Sequence, residues 1–184
     1  MAIQSNKVIF LDRDGVINHD SEEYIKSPDE WRPIPGSIEA IAKLTQAGFV
    51  LFITTNQSGI SRGFFNLNTL EKIHQKMQSS IEAIGGKIEK IYFCPHHPDD
   101  NCQCRKPKPG LFENAAKDYS INLSEVYVIG DSLRDIQAGL AIKAKTILVL
   151  SGNGEKTAKT HKDQLTQTIL AGNLAKAADY LISL

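Results

Sequence analysis

Short apolar runs that each stop on a polar or charged cluster recur along this chain, and the segments between them carry apolar residues at a helical period. That alternation admits few architectures besides an α/β fold, in which each strand is followed by a crossover helix and a further strand parallel to it. Lys7-Val-Ile-Phe-Leu11 reads as a strand buried on both faces, because it is short, almost wholly apolar and ends abruptly on Asp12-Arg13-Asp14-Gly15. Pro35-Gly36 opens a helix with Ile38, Ile41, Ala42 and Leu44 on one face, and Gly48 stops it. Residues 49–53 form a second strand ending in Thr54-Thr55-Asn56. Asn68 is read as the cap of the next helix, with Leu70, Ile73, Met77, Ile81 and Ile84 facing inward and Gly85-Gly86 closing it.

The same logic gives a third strand over 88–93, a helix over 111–119, a fourth strand over 126–129 ending on Gly130-Asp131, and a helix from 133 to about 143. A fifth strand follows over 146–150, and 179–182 is read as an edge strand. The expected architecture is a Rossmann-like parallel sheet with helices on both faces, without a large cap domain, because the segments after Asp14 and after the second strand are too short to hold one. A length of 184 residues with 41% hydrophobic content suits a single domain over 1–184. Sheets of this kind bind ligands beyond the carboxyl ends of their strands, and Asp12, Thr55 and Asp131 all fall on that edge.

Lys plus Arg equals Asp plus Glu at 21 each, so no global field draws the chain to nucleic acid or an anionic membrane. Residues 1–7 lack a secretory pattern and no apolar run reaches membrane-spanning length, so a cytosolic location is expected. A monomer is expected too. The three cysteines, Cys94, Cys102 and Cys104, are odd in number and crowd into residues 94–104, which favours a metal over a disulfide framework.

Chemistry gathers at the strand ends. Asp12 and Asp14 alone could be an exposed turn. Thr55 offers a hydroxyl and an N–H to a phosphoryl oxygen, and Asn56-Gln57-Ser58-Gly59 offers further amide donors. Lys106 supplies a cation on a loop stiffened by Pro107 and Pro109, with Lys108 as its rival, and the Arg105 fork suits a second phosphate or a sugar diol. Asp131 suits a metal; Asp135 either orients that metal or is an ordinary acid in the first turn of a helix. Cys94, His96, Cys102 and Cys104 are sufficient for a closed tetrahedral Zn²⁺ site, with His97 able to replace His96.

Asp12-Arg13-Asp14-Gly15, Thr55, Lys106 and Gly130-Asp131-x-x-x-Asp135, in that order, resemble the four motifs of the haloacid dehalogenase superfamily of phosphotransferases. The resemblance implies that Asp12 attacks phosphorus to form an aspartyl-phosphate, that Asp14 handles the proton, and that Thr55 and Lys106 stabilise the equatorial oxygens. It also implies Mg²⁺ on the Asp12 carboxylate, the Asp14 backbone carbonyl and Asp131, with Asp135 in support. Cys94-Pro95-His96-His97-Pro98, then Cys102-x-Cys104-Arg105-Lys106-Pro107-x-Pro109-Gly110, with Thr55-Asn-Gln-Ser-Gly-Ile60, is similar to the bacterial D-glycero-D-manno-heptose-1,7-bisphosphate 7-phosphatases and to the related histidinol-phosphate phosphatases.

That narrower likeness implies a structural Zn²⁺, a small phosphorylated sugar as substrate, and Asn56, Gln57, Ser58, Arg105, Asp20 and Tyr24 facing it. The alternatives are histidinol phosphate as substrate, or a zinc-stabilised phospho-accepting module without turnover; the second carboxylate of Asp14 argues against the module. The chain departs from the heptose enzymes' pattern over 19–24, carries Ser132 where some have lysine, and ends at Leu184, earlier than many. A terminal helix is therefore expected to be missing.

Overall fold

The structure, a computed structural model, describes residues 3–184. Six strands alternate with helices: β1 (Val8–Leu11), α1 (Ser37–Gln46), β2 (Val50–Asn56), α2 (Leu67–Glu82), β3 (Lys90–Cys94), α3 (Gly110–Tyr119), β4 (Tyr127–Gly130), α4 (Leu133–Ala141), β5 (Lys145–Val149), α5 (Gly154–Thr160), β6 (Ile169–Ala171) and α6 (Leu174–Ile182). The strands form one sheet in the order β3-β2-β1-β4-β5-β6, every pairing parallel. The α/β expectation holds. No helix among the described residues is long and apolar enough to cross a membrane.

The alternation of side chains along each strand divides the core between the two faces. Ile9, Leu11, Leu51, Ile53, Ile129, Ile147 and Val149 pack against α1, α2 and α6, whereas Val8, Phe10, Phe52 and Val128 pack against α3 and α4 through Leu111, Phe112, Ala115 and Ala138. The Phe10 ring stacks on Phe52 at 5.4 Å and meets Phe112 edge-on at 5.1 Å, which locks β1 to β2 and α3. Among the described residues the crossovers 12–36 and 57–66 hold no regular element beyond one 3-10 turn, Pro28–Glu30, so no cap covers the strand ends.

The chain runs from β1 outward to β3, then returns across the sheet to β4 on the other side of β1. Strand order therefore reverses between β1 and β4, the position where open parallel sheets leave a crevice at their carboxyl ends. The Asp12 N–H donates to Ile129 O at 2.9 Å, so the residues just past β1 and β4 stand side by side there.

Several expectations need correction. Residues 179–182 are not a strand but the end of α6, the terminal helix expected to be missing. Its N-cap Asn173 accepts from the Lys176 N–H at 3.0 Å, and Leu174, Ala177, Ala178 and Leu181 form a buried stripe at helical spacing. The edge strand is β6, three residues long and partly exposed. Asn66, not Asn68, caps α2 by accepting from the Thr69 N–H at 2.9 Å, and α2 ends at Glu82, which leaves Ile84 exposed. The third strand spans 90–94 rather than 88–93, β2 runs on to Asn56, and α4 stops at Ala141.

Candidate active site

Beyond β1 and β4, Asp12, Asp131 and Asp135 bring one carboxylate oxygen each within 4.8 Å of one another. Lys106 is buried among them, its Nζ 3.1 Å from Asp12 Oδ1, 2.6 Å from Asp135 Oδ1 and donating to Thr54 O at 2.6 Å. Two of the three clustered carboxylates thus contact the Lys106 ammonium directly. Burial, helped by the charges of Asp135 and Asp14, pushes the Asp12 carboxyl up to about 7 against the pull of Lys106. Burial and then the charges of Asp12 and Asp135 push Asp131 up to about 8. A surplus of buried, mutually repelling carboxylate oxygens fits a hard divalent cation. Lys106 is burdened by burial but overcompensated by Asp12 and Asp135, so it stays protonated.

Asp135 fills the helix-terminal role expected of it, as the N3 acid of the α4 cap. Its Oδ2 accepts from the N–H of Ser132 at 3.1 Å and from the Ser132 hydroxyl, closing a capping box, while Oδ1 faces Lys106. Asp131 is held from the far side by the loop after β5 and by α5: Asn153 N–H donates to its Oδ2 at 2.7 Å, and Thr157 Oγ1 donates to its carbonyl at 3.0 Å. Side chains at Gly15, where φ is +79°, or at Gly152 would run into that carboxylate.

Asp14 lies apart from the carboxylate cluster and is clasped by donors. Arg13 Nε gives 3.0 Å to Oδ1, Arg13 Nη2 gives 2.9 Å to both oxygens, Asn18 Nδ2 gives 2.8 Å to Oδ1 and Gln57 Nε2 gives 2.9 Å to Oδ2. Burial alone would raise its pKa, yet the Arg13 charge and the bonds from Asn18, Arg13 and Gln57 outweigh burial and lower it. Arg13 is itself buried, with Nη1 3.3 Å from His74 Nε2 on α2. Burial and the Arg13 charge hold His74 down to about 3, so it is a neutral acceptor toward Arg13. Arg13, Asn18 and His74 escaped the sequence reading, although His74 stands out as a polar residue on the apolar face of α2 between Ile73 and Met77.

Thr55 Oγ1 accepts from Gln57 Nε2 at 2.8 Å at the floor of a cavity of about 220 Å³, which Asp12, Asp20, Tyr24, Ser58 and Arg105 also line. Asn56 borders the cavity, but its amide bonds the Lys106 backbone twice, donating to O and accepting from N, both at 3.1 Å. Its side chain anchors the lysine loop rather than presenting free donors. Lys108 is turned away to Asn101 O at 3.0 Å, which leaves Lys106 rather than Lys108 as the lysine of the site. Tyr24, at φ +66°, rests its ring 5.1 Å from that of Phe64. Burial and then the charge of Arg134 lower the Arg105 pKa, so two guanidinium groups share the mouth of the cavity.

Next to Arg105, Cys94, His96, Cys102 and Cys104 place their donor atoms within 4.8 Å of one another. The sulfur–sulfur separations are 3.5, 3.2 and 3.6 Å, and His96 Nδ1 lies 3.5 Å from Cys94 Sγ and 3.2 Å from Cys104 Sγ. A tetrahedron with metal–sulfur bonds of about 2.3 Å has edges of about 3.8 Å, so this donor set fits a soft four-coordinate cation after slight expansion. His97 is engaged elsewhere, its Nδ1 accepting from the Asp99 N–H at 3.3 Å in a capping box, which leaves His96 as the imidazole of the set.

Residues 103–177 match the family model described as HAD-hydrolase-like. The chain is 47% identical over 176 residues to the D-glycero-beta-D-manno-heptose-1,7-bisphosphate 7-phosphatase of Pseudomonas putida, covering 96% of this chain and 99% of that one. It is 50% identical over 151 residues to the enzyme of the same name from Bordetella bronchiseptica, covering 82% and 84%. The crystal structure of D,D-heptose 1,7-bisphosphate phosphatase from B. bronchiseptica complexed with magnesium and phosphate superposes with a TM-score of 0.93 at 45% identity, covering 96% of this chain and 98% of that one. The chain therefore belongs to the HAD-like hydrolases, in the family of the heptose-1,7-bisphosphate 7-phosphatases.

Proposed function

We propose that this protein is a Mg²⁺-dependent phosphatase that removes the 7-phosphate of D-glycero-β-D-manno-heptose 1,7-bisphosphate, a step toward nucleotide-activated heptose for lipopolysaccharide. The observation that carries the reading is Asp12 at the strand-order reversal, its Oδ1 3.1 Å from Lys106 and its neighbours Asp131 and Asp135 forming an oxygen cluster. Near-full-length likeness to heptose bisphosphate phosphatases supports the substrate, over histidinol phosphate or a module without turnover.

Asp12 attacks phosphorus in line, forming a carboxyl–phosphorus bond as the bond to the sugar oxygen breaks. Asp14 gives the departing oxygen its proton and later takes one from the water that cleaves the aspartyl-phosphate, regenerating Asp12 and releasing inorganic phosphate. Lys106 and the Thr55 hydroxyl stabilise the equatorial oxygens. Because Asp14 is clasped by Arg13, Asn18 and Gln57 as a carboxylate, it is pre-set for the base half of the cycle. Mg²⁺, held by Asp12, Asp131 and the Asp14 carbonyl with Asp135 in support, screens the repulsion between anionic nucleophile and anionic substrate when bound.

Arg105 at the cavity mouth suits the phosphate that is retained, with Asp20, Tyr24, Gln57 and Ser58 bordering the sugar. Cys94, His96, Cys102 and Cys104 would hold Zn²⁺, which would fix the loop from which Arg105 and Lys106 project. The protein acts as a cytosolic monomer of one domain; a single sheet carrying a core on both faces supports the one-domain reading. The test is Asp12→Asn, which keeps the fold and lowers turnover by about four orders of magnitude or more. Full activity in that variant would remove Asp12 as nucleophile.

A further inference from the structure

The loop after β5 holds a side chain that spans two parts of the site. Asn153 is exposed, yet both hydrogens of its amide have partners: Nδ2 lies 2.9 Å from Asp20 Oδ2 and 3.2 Å from Asp131 Oδ2. Its backbone N–H reaches the same Asp131 oxygen at 2.7 Å. Because both carboxylates lie within hydrogen-bond reach of this one nitrogen, they sit close enough to repel. A neutral amide with two donors is the group suited to lie between two acceptor-only anions, since it satisfies both without adding charge.

The surrounding backbone serves the same placement. Gly152, at φ +57°, brings the loop against Gly15 and Asp131 where any side chain would collide, and Ser151 Oγ donates to Gly15 O at 2.7 Å. Asn153 is therefore presented to the crevice on backbone tied to the Asp12–Gly15 turn. The crossover carrying Asp20 has no regular element between Asp12 and the Pro28–Glu30 turn, and Asp20 is exposed. The Asn153 amide is its side-chain tie to the opposite wall of the cavity.

We propose that Asn153 is a positioning residue that couples the two halves of the site, its amide holding Asp20 toward the substrate while its backbone N–H fixes Asp131 toward the cation. The inference rests on the reading of Asp20 as a substrate-facing group. Because the backbone N–H survives any side-chain replacement, the two functions separate on mutation.

In the Mg²⁺ enzyme, Asn153→Ala raises KM for the heptose bisphosphate about threefold to tenfold, the scale of one lost charged hydrogen bond, and leaves kcat within about twofold. Calorimetric titration of the same variant with Mg²⁺ alone gives a Kd within about twofold of wild type. Asn153→Asp, equal in size but unable to donate, raises KM further by placing a third carboxylate between two. In a cycle with Asp20→Ala the double variant is no worse than the poorer single variant, both in KM and in melting temperature.

Wild-type KM in Asn153→Asp, or additive effects in both readouts of the cycle, would overturn the coupling. So would a Mg²⁺ Kd weakened in Asn153→Ala with KM unchanged. A wild-type protein inactive on the bisphosphate sinks the substrate reading alone, and non-additive melting temperatures still sustain the Asn153–Asp20 tie.

Discussion

Lys106 carries the charge balance of the crevice almost alone. Its ammonium is within 3.1 Å of both Asp12 and Asp135 and is nearly inaccessible to solvent. Truncating one partner of such a buried group strands the others, at a cost of about 3–5 kcal/mol. Lys106→Ala is accordingly expected to lower the melting temperature of the metal-free protein by several degrees and kcat by about two to three orders of magnitude. A Lys106→Ala protein as stable and as active as wild type would contradict the charge balance described here.

The raised carboxyls give a pH dependence with a definite sign. Asp12 at about 7 and Asp131 at about 8 bind protons in the folded, metal-free protein that the unfolded chain, with carboxyls near 3.8, has released. The folded state therefore holds more protons between those limits, and stability falls as pH rises through them. His74 works oppositely: at about 3 when folded and 6.5 when unfolded, it adds stability as pH rises, but only up to about 6.5. Between pH 6.5 and 8 the carboxyls act without that opposition. Thermal melts of metal-free protein should fall in Tm across that interval, and Asp131→Asn should flatten the slope. A Tm that rises there would count against the uncompensated carboxylates.

Among elements, the loop of residues 94–104 and the strand ends have separable duties. Asn56 grips the backbone of Lys106 from β2, while the Cys94–His96–Cys102–Cys104 set holds the same loop from the side of Arg105. Cys102→Ser should release about one zinc per chain, lower the melting temperature, and raise KM more than it lowers kcat, because Arg105 is displaced before Asp12 is. A variant that keeps both its metal and its Tm would leave the cluster without a structural role.

Strands flanked by abrupt charge were legible because burial on both faces leaves an uninterrupted apolar run, as in Val8–Leu11. β6 offers only three residues, none of them fully buried, so it left no such run and the tail of α6 was read in its place. α5 escaped because Gly154–Thr160 is short and mostly polar. At the site, Asp12, Thr55, Lys106 and Asp131 were legible because each follows a strand or sits in a spaced motif. The Arg13–His74 and Asn153–Asp20 contacts join residues far apart in sequence, and Asn18 reaches Asp14 within an irregular crossover, neither of which periodicity and spacing encode. Asn56 shows the reverse case, a donor in the right place whose partner is the protein itself.

Taken whole, the molecule is a sheet that delivers two strand ends to one point. The reversal between β1 and β4 sets Asp12 beside Asp131, the neighbouring β2 adds Thr55, and the loop before α3 adds Lys106. With no cap over these ends among the described residues, the cavity is bordered by the short crossover bearing Asp20 and Tyr24 and by the Arg105 loop. The most direct test of the account is phosphorus NMR of D-glycero-β-D-manno-heptose 1,7-bisphosphate turned over with Mg²⁺, beside steady-state rates on histidinol phosphate. The account predicts loss of the 7-phosphate with the 1-phosphate retained, no reaction with Asp12→Asn, and a kcat/KM for histidinol phosphate lower by at least about two orders of magnitude. Release of the 1-phosphate, or a preference for histidinol phosphate, would contradict it.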